Sequence, residues 1–284
     1  MDTSEAVVGE PVASERAPAS GTAGSGLLAG KVCVVSGVGP GLGRRAAVAL
    51  AEHGADVVLA ARRQSTLDDV AAEIDAVGGR SLAVPTDITD ADQCARVIDV
   101  ATAELGGVDV LVNNAFRYDV FQTFEDVDLA AWRKIMDTNL FGSLQLTKAA
   151  VPAMRARGGG SVVMVASMAA RRPPALQGGY AISKGALLTA VRVLAGELGG
   201  AGIRVNAVVP GWMLGPSVDI YIQLTSTGRG ITADEVVAEL EEPIPLNRVP
   251  TDAEVAGSIV FLASGLSSPI TGQAIDANGG EFFG

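Results

Sequence analysis

The chain has 284 residues and a formal net charge of −11, and its core must be built mainly from aliphatic residues because aromatic residues make up only 4%. The acidic balance argues against a nucleic-acid partner, since binding to phosphates needs clustered lysine and arginine. No apolar run approaches the roughly 20 residues that a membrane span requires, so we expect no membrane segment.

The first residues differ in composition from the rest. Residues 1–26 are rich in Ala, Gly, Ser and Glu and have no apolar stretch behind a basic start. They are therefore predicted to be a disordered acidic tail rather than a signal peptide. Cys33 and Cys94 fall in different kinds of segment, so two core thiols in a reducing compartment are expected instead of a disulfide. We predict a cytoplasmic protein whose folded domain spans residues 27–284.

From residue 31 onward, short apolar runs alternate with amphipathic stretches, the pattern of βαβ units. Strands are predicted at residues 31–36, 56–61, 81–85, 109–113, 161–166, 203–208 and 274–277. Helices are predicted at residues 42–53, 66–77, 90–105, 129–155, 179–198 and 252–262. This order predicts an α/β fold: a single doubly wound, Rossmann-type domain with a seven-stranded parallel sheet, helices on both faces and ligands at the carboxyl ends of the strands.

The alternation of predicted strands and helices is interrupted between the sixth strand and the last helix. Only one short helix, at residues 233–241, is predicted in about forty residues. Capping boxes of the form T-x-x-E begin at Thr232 and Thr251. Irregular segments of this length are usually lids, so residues 215–245 are predicted to be a substrate lid, with a plain surface insertion as the alternative.

A glycine-rich turn follows the first predicted strand, with the sequence S-G-V-G-P-G-L-G at residues 36–43. Glycine lets the backbone turn sharply and approach a pyrophosphate, whose charge is met by backbone N–H groups and by the dipole of the following helix. Because the turn follows a first strand and opens a helix, it predicts a dinucleotide site. The residues expected at this site are Gly37, Gly41, Leu42 and Gly43.

The second predicted strand ends in Ala61, which Arg62 and Arg63 follow. A small residue here leaves room for a ribose 2′-phosphate, and an adjacent guanidinium can bind that phosphate through two hydrogen bonds. The sequence therefore favours NADP, bound by Arg62, with NAD as the alternative cofactor. A second interpretation is that both arginines simply begin a solvated loop.

The sequence Y-A-I-S-K at residues 180–184 opens a predicted helix. Its i, i+4 spacing places the phenol of Tyr180 and the ammonium of Lys184 on one helical face. A neighbouring cation and an oxidised nicotinamide would stabilise the phenolate, as general acid–base chemistry on an alcohol or carbonyl requires. Ser167 lies thirteen residues before Tyr180, at the end of the fifth predicted strand.

These motifs resemble those of the short-chain dehydrogenase/reductase family over residues 28–284. The family's T-G-x3-G-x-G is matched with Ser36 in place of Thr, and its S-x12-Y-x3-K is matched by Ser167, Tyr180 and Lys184. Asn139 matches the fourth member of the family's catalytic set, which holds a long helix open around a water. The resemblance implies that Tyr180 transfers the proton and that Lys184 lowers the pKa of Tyr180 and binds the nicotinamide ribose. It also implies that Ser167 polarises the substrate oxygen and that Asn139 completes a water-linked proton relay.

The resemblance implies further cofactor contacts after the third, fourth and sixth predicted strands. The family's adenine position is matched by D-I at residues 87–88, its N-N-A-G by N-N-A-F at residues 113–116, and its N-x3-P-G by residues 206–211. The backbone near Met213 would then meet the nicotinamide carboxamide. The contacts implied in this way are Asp87, Ile88, Asn113, Ala115, Tyr180, Lys184, Pro210, Gly211 and Met213.

The predicted function is that of an NAD(P)-dependent oxidoreductase that interconverts a secondary alcohol and a ketone by hydride transfer. Apolar residues at 213–224 favour a hydrophobic small-molecule substrate, which is cyclic, steroid-like or acyl. One alternative is a 3-oxoacyl-(acyl-carrier-protein) reductase, although a net charge of −11 would repel an acidic carrier. The other is a nucleotide-sensing binding protein of the same fold, which would have no need of Ser167, Tyr180 and Lys184 together.

Two further expectations concern assembly and metals. The long predicted helices at residues 129–155 and 179–198 resemble those that pair subunits in the family, so a homotetramer is expected, with a dimer as the alternative. No cluster of Cys, His and Asp has the spacing of metal ligands, so no metal is expected. The only histidine, His53, lies at the end of the first predicted helix, so a Ser–His hydrolase triad is not expected either.

Overall fold

The computed structural model of the protein describes residues 26–284, so the tail predicted for residues 1–26 lies outside the described residues except for its last one. The strands are β1 (Val32–Ser36), β2 (Asp56–Ala61), β3 (Arg80–Pro85), β4 (Val110–Asn113), β5 (Gly160–Val165), β6 (Ile203–Pro210) and β7 (Ala274–Ala277). They form one parallel sheet in the order β3-β2-β1-β4-β5-β6-β7. The predicted seven-stranded parallel sheet is confirmed.

The α-helices of the described chain connect these strands and cover the sheet. They are α1 (Leu42–Glu52), α2 (Gln64–Ala76), α3 (Ala91–Leu105), α4 (Leu129–Met136), α5 (Ser143–Ala156), α6 (Gly178–Leu198), α7 (Pro216–Arg229), α8 (Ala233–Glu241) and α9 (Asp252–Ala263).

The sheet separates two apolar layers, because successive residues of a strand face opposite sides. Val32 and Val34 of β1 pack with α3, α5 and α6 on one side, whereas Cys33 and Val35 pack with α1, α2 and α9 on the other. Every residue of β1 is buried, as a central strand covered by helices on both faces must be. The resulting helix–sheet–helix layers confirm the doubly wound α/β fold.

The winding direction of the chain reverses between β1 and β4, which are neighbours in the sheet although β2 and β3 separate them in sequence. Ser36 and Asn113, the last residues of the two strands, are paired in register. The Ser36 hydroxyl donates to the Val112 carbonyl at 3.3 Å and accepts from the Asn114 N–H at 3.3 Å. These bonds fix the edge of a crevice at the switch point, which is where α/β folds bind ligands.

A π-helical segment of six residues, Asp137–Gly142, joins α4 to α5 and interrupts the helix predicted over residues 129–155. Single π-helical turns inside α-helices are rare and are frequent at functional sites. Asn139 lies within this segment and is fully buried. A Cβ atom on Gly142 would lie 2.8 Å from the side chain of Ile88, so a residue with a side chain would not pack there without displacing its neighbour.

The segment between β6 and α9 differs from its prediction, because it contains two helices where the sequence indicated only α8. The additional helix, α7, begins with Pro216, a residue suited to the first helical position. Val218 and Ile222 of α7 pack against Val236 of α8 in an apolar cluster separate from both layers of the sheet. Much of the apolar character that the sequence assigned to a substrate contact therefore serves the internal packing of this segment.

We predict that Thr251→Ala lowers the free energy of unfolding by about 1 kcal/mol, the usual cost of losing an N-cap. Thr251 and Glu254 form the expected capping box on α9, which packs into an apolar layer, so the loss should appear in the global urea transition. Thr232→Ala is the matched control, because Thr232 and Glu235 form the same box on α8. We expect this control to speed amide hydrogen exchange in α8 with little effect on the global transition. Equal global shifts in both variants would contradict the prediction.

Candidate active site

A cavity of about 990 Å³ opens along the carboxyl edge of the sheet. Its size lies at the upper end of the range for small-molecule and cofactor sites. Most of the residues singled out in the sequence line it, namely Gly37, Gly41, Leu42, Gly43, Arg62, Asp87, Ile88, Ala115, Ser167, Tyr180, Lys184, Pro210, Gly211 and Met213. The fold therefore brings together in one place motifs that are spread over more than 170 residues of sequence.

The glycine-rich turn brings backbone amides to one part of the cavity. Gly37 and Gly41 have φ angles of 72° and 99°, in the left-handed region that favours glycine. A side chain at Gly37 would clash with Ala115, and one at Gly43 would clash with the Gly37 carbonyl. In the part of the chain that the structure describes, no side chain caps the N-terminus of α1, so the positive end of this helix is available to an anionic group such as a pyrophosphate.

Two guanidinium groups at the end of β2 also line the cavity. Within residues 26–284, the side chains of Arg62 and Arg63 are exposed and form neither an ion pair nor a hydrogen bond. Arg44 and Arg45 on the neighbouring helix α1, by contrast, bind carboxylates of α2 and α9. The cations at the end of β2 are therefore free to bind an anion that enters the cavity.

The structure places the side chain of one expected cofactor contact, Asn113, away from the cavity. The side chain of Asn113 is 2% exposed, donates to the Thr147 hydroxyl at 3.0 Å and does not line the cavity. The next residue, Asn114, does line it, and its amide donates to the Gly37 carbonyl at 2.8 Å. Because the side chains of successive residues at a strand end face opposite sides, the side chain of only one of the two asparagines reaches the cavity.

Ser167, Tyr180 and Lys184 meet in the part of the cavity that lies beyond β5. Tyr180 and Lys184 share a face of α6, and the Lys184 Nζ lies 5.7 Å from the centroid of the Tyr180 ring. Lys184 is only 2% exposed, and its Nζ donates a hydrogen bond of 2.7 Å to the Val165 carbonyl at the end of β5. The sequence spacing thus produces a phenol, a hydroxyl and an amine around one point.

Burial controls the proton affinities of these groups. It raises the pKa of Tyr180 to about 12, while a side-chain hydrogen bond with Ser167 acts to lower it and the nearby Tyr118 acts to raise it. Burial also lowers the pKa of Lys184 to about 7. With the protein groups alone, the phenol is protonated near neutral pH, whereas the amine is shared between its charged and neutral forms.

Asn139 lies behind the cavity and connects its walls. Its side-chain oxygen accepts from the Arg117 N–H at 2.7 Å, and its amide donates to the Arg117 carbonyl at 3.1 Å and to the Ser183 hydroxyl at 2.9 Å. Asn139 therefore ties the π-helical segment to the loop after β4 and to α6. It does not itself line the cavity.

Aromatic side chains surround the chemical end of the cavity, and the sequence did not indicate most of them. Phe116 and Tyr118 pack edge to face at 4.7 Å between centroids, and both line the cavity. The Phe116 ring also lies 5.7 Å from the Lys184 Nζ, so this amine is equally close to the rings of Phe116 and Tyr180. Trp212 also lines the cavity and packs against Tyr221 of α7 at 4.9 Å between centroids. The sequence signal for Phe116 was its place in N-N-A-F at residues 113–116, where the family pattern has glycine.

No group of three or more His, Cys, Asp and Glu side chains among residues 26–284 could hold a metal ion. In the same residues, no helix is long and apolar enough to cross a membrane.

A family model described as enoyl-(acyl carrier protein) reductase matches residues 37–281. The chain belongs to the short-chain dehydrogenase/reductase family. It is 36% identical over 253 residues to the cis-4-hydroxycyclohexanecarboxylate dehydrogenase of Sinomonas cyclohexanicum, a match that covers 89% of this chain and 97% of the relative.

Solved structures of short-chain dehydrogenases/reductases have the same fold. L-sorbose reductase from Gluconobacter frateurii, complexed with NADPH and L-sorbose, superposes with a TM-score of 0.85 at 29% identity, over 89% of this chain and 97% of that one. A 7α-hydroxysteroid dehydrogenase, complexed with NADH and 7-oxo glycochenodeoxycholic acid, superposes with a TM-score of 0.79 at 30% identity, over 89% and 94%. The two solved structures thus hold different nicotinamide cofactors, NADPH in one and NADH in the other.

In this short-chain dehydrogenase/reductase the buried Lys184 should make stability depend on pH. Its pKa is about 7 in the folded chain against 10.5 when unperturbed, so between these values the unfolded chain binds more protons and stability rises with pH. We predict that Lys184→Met removes this rise with pH. The free energy of unfolding of the variant should exceed that of wild type by up to a few kcal/mol at about pH 6, and the difference should disappear toward pH 10.

Urea denaturation across this pH range checks the prediction, and Lys148→Met is the matched control. Lys148 is exposed on α5, so its replacement should change stability by an amount that does not vary with pH. A stability difference between Lys184→Met and wild type that stayed constant with pH would contradict the burial argument.

Proposed function

We propose that this chain is an NADP-dependent oxidoreductase that interconverts a secondary alcohol and a ketone on a hydrophobic, cyclic substrate. The observation that carries the proposal is the layout of one cavity. Ser167, Tyr180 and Lys184 lie together at one end, and a helix N-terminus with uncapped amides and two uncommitted guanidinium groups lies at the other. Such an arrangement suits a dinucleotide whose reactive ring must reach an acid–base group.

The residues present fit that cofactor. Glycines 37, 41 and 43 allow the close approach that a pyrophosphate needs. The Asp87 carboxylate accepts from the N–H and hydroxyl of Thr89 through one oxygen, Oδ1, and its other oxygen would accept from the adenine amine. Lys184 would bind the nicotinamide ribose, and the backbone around Pro210, Gly211 and Met213 would hold the carboxamide. When bound, the nicotinamide supplies or accepts the hydride.

The protein groups supply the proton chemistry. In the direction of reduction, the protonated Tyr180 donates its proton to the carbonyl oxygen of the substrate, and Ser167 donates a hydrogen bond to the same oxygen. The resulting phenolate then regains a proton through Lys184 and a water-linked relay that Asn139 completes. Oxidation of the alcohol follows the reverse order. Lys184 suits this exchange because its pKa of about 7 lets the amine release and take up protons near neutral pH.

The walls of the cavity support an apolar ring as the substrate. Phe116, Tyr118 and Trp212 offer aromatic faces around Ser167 and Tyr180. Two similar proteins are named for ring compounds, a hydroxycyclohexanecarboxylate and a steroid. We further propose that residues 215–245 act as a lid over this substrate. An acyl group on an acidic carrier is the rival, and it would have to approach a chain with a net charge of −11.

We also propose a homotetramer in the cytoplasm. Phe141 in the π-helical segment and Ile182 and Val193 on α6 are each about half exposed, and burying them against another copy of the chain would be favourable. The free thiols of Cys33 and Cys94 are both buried, as in a reducing compartment.

We predict that Tyr180→Phe lowers turnover by about 100-fold or more, because it removes the proton donor while keeping the ring. The affinity for NADPH should hardly change. The measurement is the absorbance change of the nicotinamide with a panel of cyclic ketones, sterol ketones and carrier-linked 3-oxoacyl groups.

Tyr221→Phe is the matched control for this experiment. Tyr221 lies in the proposed lid, where its ring packs against Trp212 at 4.9 Å between centroids, but it does not line the cavity. The substitution makes the same chemical change and keeps this ring contact, so turnover should stay near that of wild type. Near-normal turnover of Tyr180→Phe would show that Tyr180 is not the acid. Tight NADPH binding without turnover of any compound by the wild-type protein would favour a nucleotide-sensing protein instead.

Cofactor choice gives a separate prediction. Losing a charge-assisted contact to a 2′-phosphate costs roughly 10- to 150-fold in affinity, so Arg62→Ala should weaken NADPH binding by that factor and leave NADH nearly untouched. Ala61→Asp should shift the preference toward NADH, because a carboxylate repels the phosphate and accepts from ribose hydroxyls. Titration of both cofactors measures these effects. Arg96→Ala, an equal charge change on α3 outside the cavity, should alter neither affinity, and a clear preference of the wild type for NADH would contradict the assignment.

A further inference from the structure

Asp119, in the loop after β4, is a buried carboxylate that pairs with no cation among the described residues. It is only 7% exposed, as is Asp109 at the opposite edge of the sheet. Asp109 is compensated by Lys31 at 3.1 Å and Arg157 at 2.8 Å. Among residues 26–284, no lysine or arginine forms an ion pair with Asp119. A buried charge is costly unless polar groups satisfy it, so the partners of Asp119 indicate what it is for.

The partners of Asp119 are backbone amides, and one of them belongs to Tyr180. Oδ2 of Asp119 accepts from the Tyr180 N–H at 2.7 Å, and Oδ1 accepts from the Val120 N–H at 2.8 Å. Tyr180 is the third residue of α6, where helical N–H groups lack intrahelical acceptors, and Gln177 at the N-cap position supplies no side-chain cap. Asp119 therefore caps α6 from 61 residues away, with its charge at the positive end of the helix.

The carbonyl of Tyr180 is held through the same loop. Ser183 donates to the Tyr180 carbonyl at 2.7 Å and accepts from Asn139 at 2.9 Å. Asn139 in turn exchanges two hydrogen bonds with the backbone of Arg117, two residues before Asp119. The N–H of Tyr180 is thus bound to Asp119, and its carbonyl is linked through Ser183 and Asn139 to the backbone of Arg117. Both backbone polar groups of Tyr180 are therefore connected to residues 117–119 of the loop after β4.

Packing holds the same turn of helix from a second side. A Cβ atom on Gly178 or on Gly179 would lie 2.6 Å from the indole of Trp132, so the backbone of the first turn of α6 lies directly against this ring. The Phe116 ring, at the start of the loop, packs edge to face with the Tyr180 ring at 6.3 Å between centroids. The turn that carries the phenol is thus fixed by a hydrogen bond at its amide and by aromatic contacts around it.

We propose that Asp119 is a positioning residue for Tyr180, which holds the phenol at the distance from Ser167 and the substrate oxygen that proton transfer requires. This inference rests on the proposed function, because it assigns Asp119 to the acid–base step of that reaction. It also gives the carboxylate a reason to be buried, since an acceptor at this point must be immobile to keep the start of α6 in place.

The test compares Asp119→Ala and Asp119→Asn with wild type. A small displacement of a reacting group can cost on the order of 100-fold, so kcat of Asp119→Ala should fall roughly 10- to 100-fold while KM and the Kd for NADPH stay within about threefold of wild type. Asp119→Asn keeps the size and one acceptor oxygen, so its kcat should lie between the two. Asp90→Ala is the matched control, because Asp90 caps α3 through two backbone amides that have no link to Tyr180, and its kcat should stay close to wild type.

Amide hydrogen exchange at Tyr180 gives a readout that does not depend on turnover. Asp119→Ala should speed this exchange by about tenfold or more, whereas Asp90→Ala should not. Faster exchange with an unchanged kcat would overturn the inference, and so would equal losses in kcat, KM and cofactor affinity with no difference between the Ala and Asn variants. If the wild type turned over no alcohol or ketone, the proposed function would fail, and the exchange data would still support or overturn the capping of Tyr180 by Asp119.

Discussion

The burial of the Lys184 amine is the constraint on which the site depends. The amine is 2% exposed, has no carboxylate within ion-pair distance among the described residues, and binds the Val165 carbonyl at 2.7 Å. A charged amine is unfavourable in such a place, which is why its pKa falls to about 7. Because the buried amine lowers the free energy of unfolding near neutral pH, the surrounding structure has to hold it in place. The framework that does so consists of two strand ends, α6 and the π-helical segment.

The framework also explains why Tyr180, the proposed acid–base group, lies at the start of a helix rather than in a loop. Tyr180 is fixed through its own backbone, by Asp119 at its N–H and by Ser183 at its carbonyl. Its phenol is then kept protonated by burial, with a pKa of about 12 that a nearby positive charge would bring down. In the proposed reaction, Tyr180 would therefore not abstract a proton until the cationic, oxidised nicotinamide is next to the phenol. Proton abstraction would then occur only in the complex that can also transfer a hydride.

Much of the fold and of the candidate site could be predicted from the sequence, because both depend on the spacing of residues close together in the chain. The glycine turn, the alternating elements and the Y-x3-K spacing each carry a physical meaning within a few residues, and the fold they indicated is confirmed. The helix α7 was missed because its Ser, Thr, Ile and Val residues have low helix propensity, and it is stabilised by packing against α8. The sequence cannot tell which of Asn113 and Asn114 has its side chain toward the cavity, because this depends on the orientation of the end of β4. The contact of Asp119 with Tyr180 spans 61 residues and carries no local pattern.

The most direct test of the account is the titration of the Tyr180 phenol itself. Ultraviolet difference spectra of wild type against Tyr180→Phe isolate its phenolate, with and without saturating NADP⁺. The account predicts a pKa of about 12 for the protein alone and a fall of about two units or more when the oxidised cofactor adds its charge. A phenol that titrated near its ordinary value in the protein alone, or whose pKa did not move with NADP⁺, would contradict the claim that burial and the cofactor together control the proton.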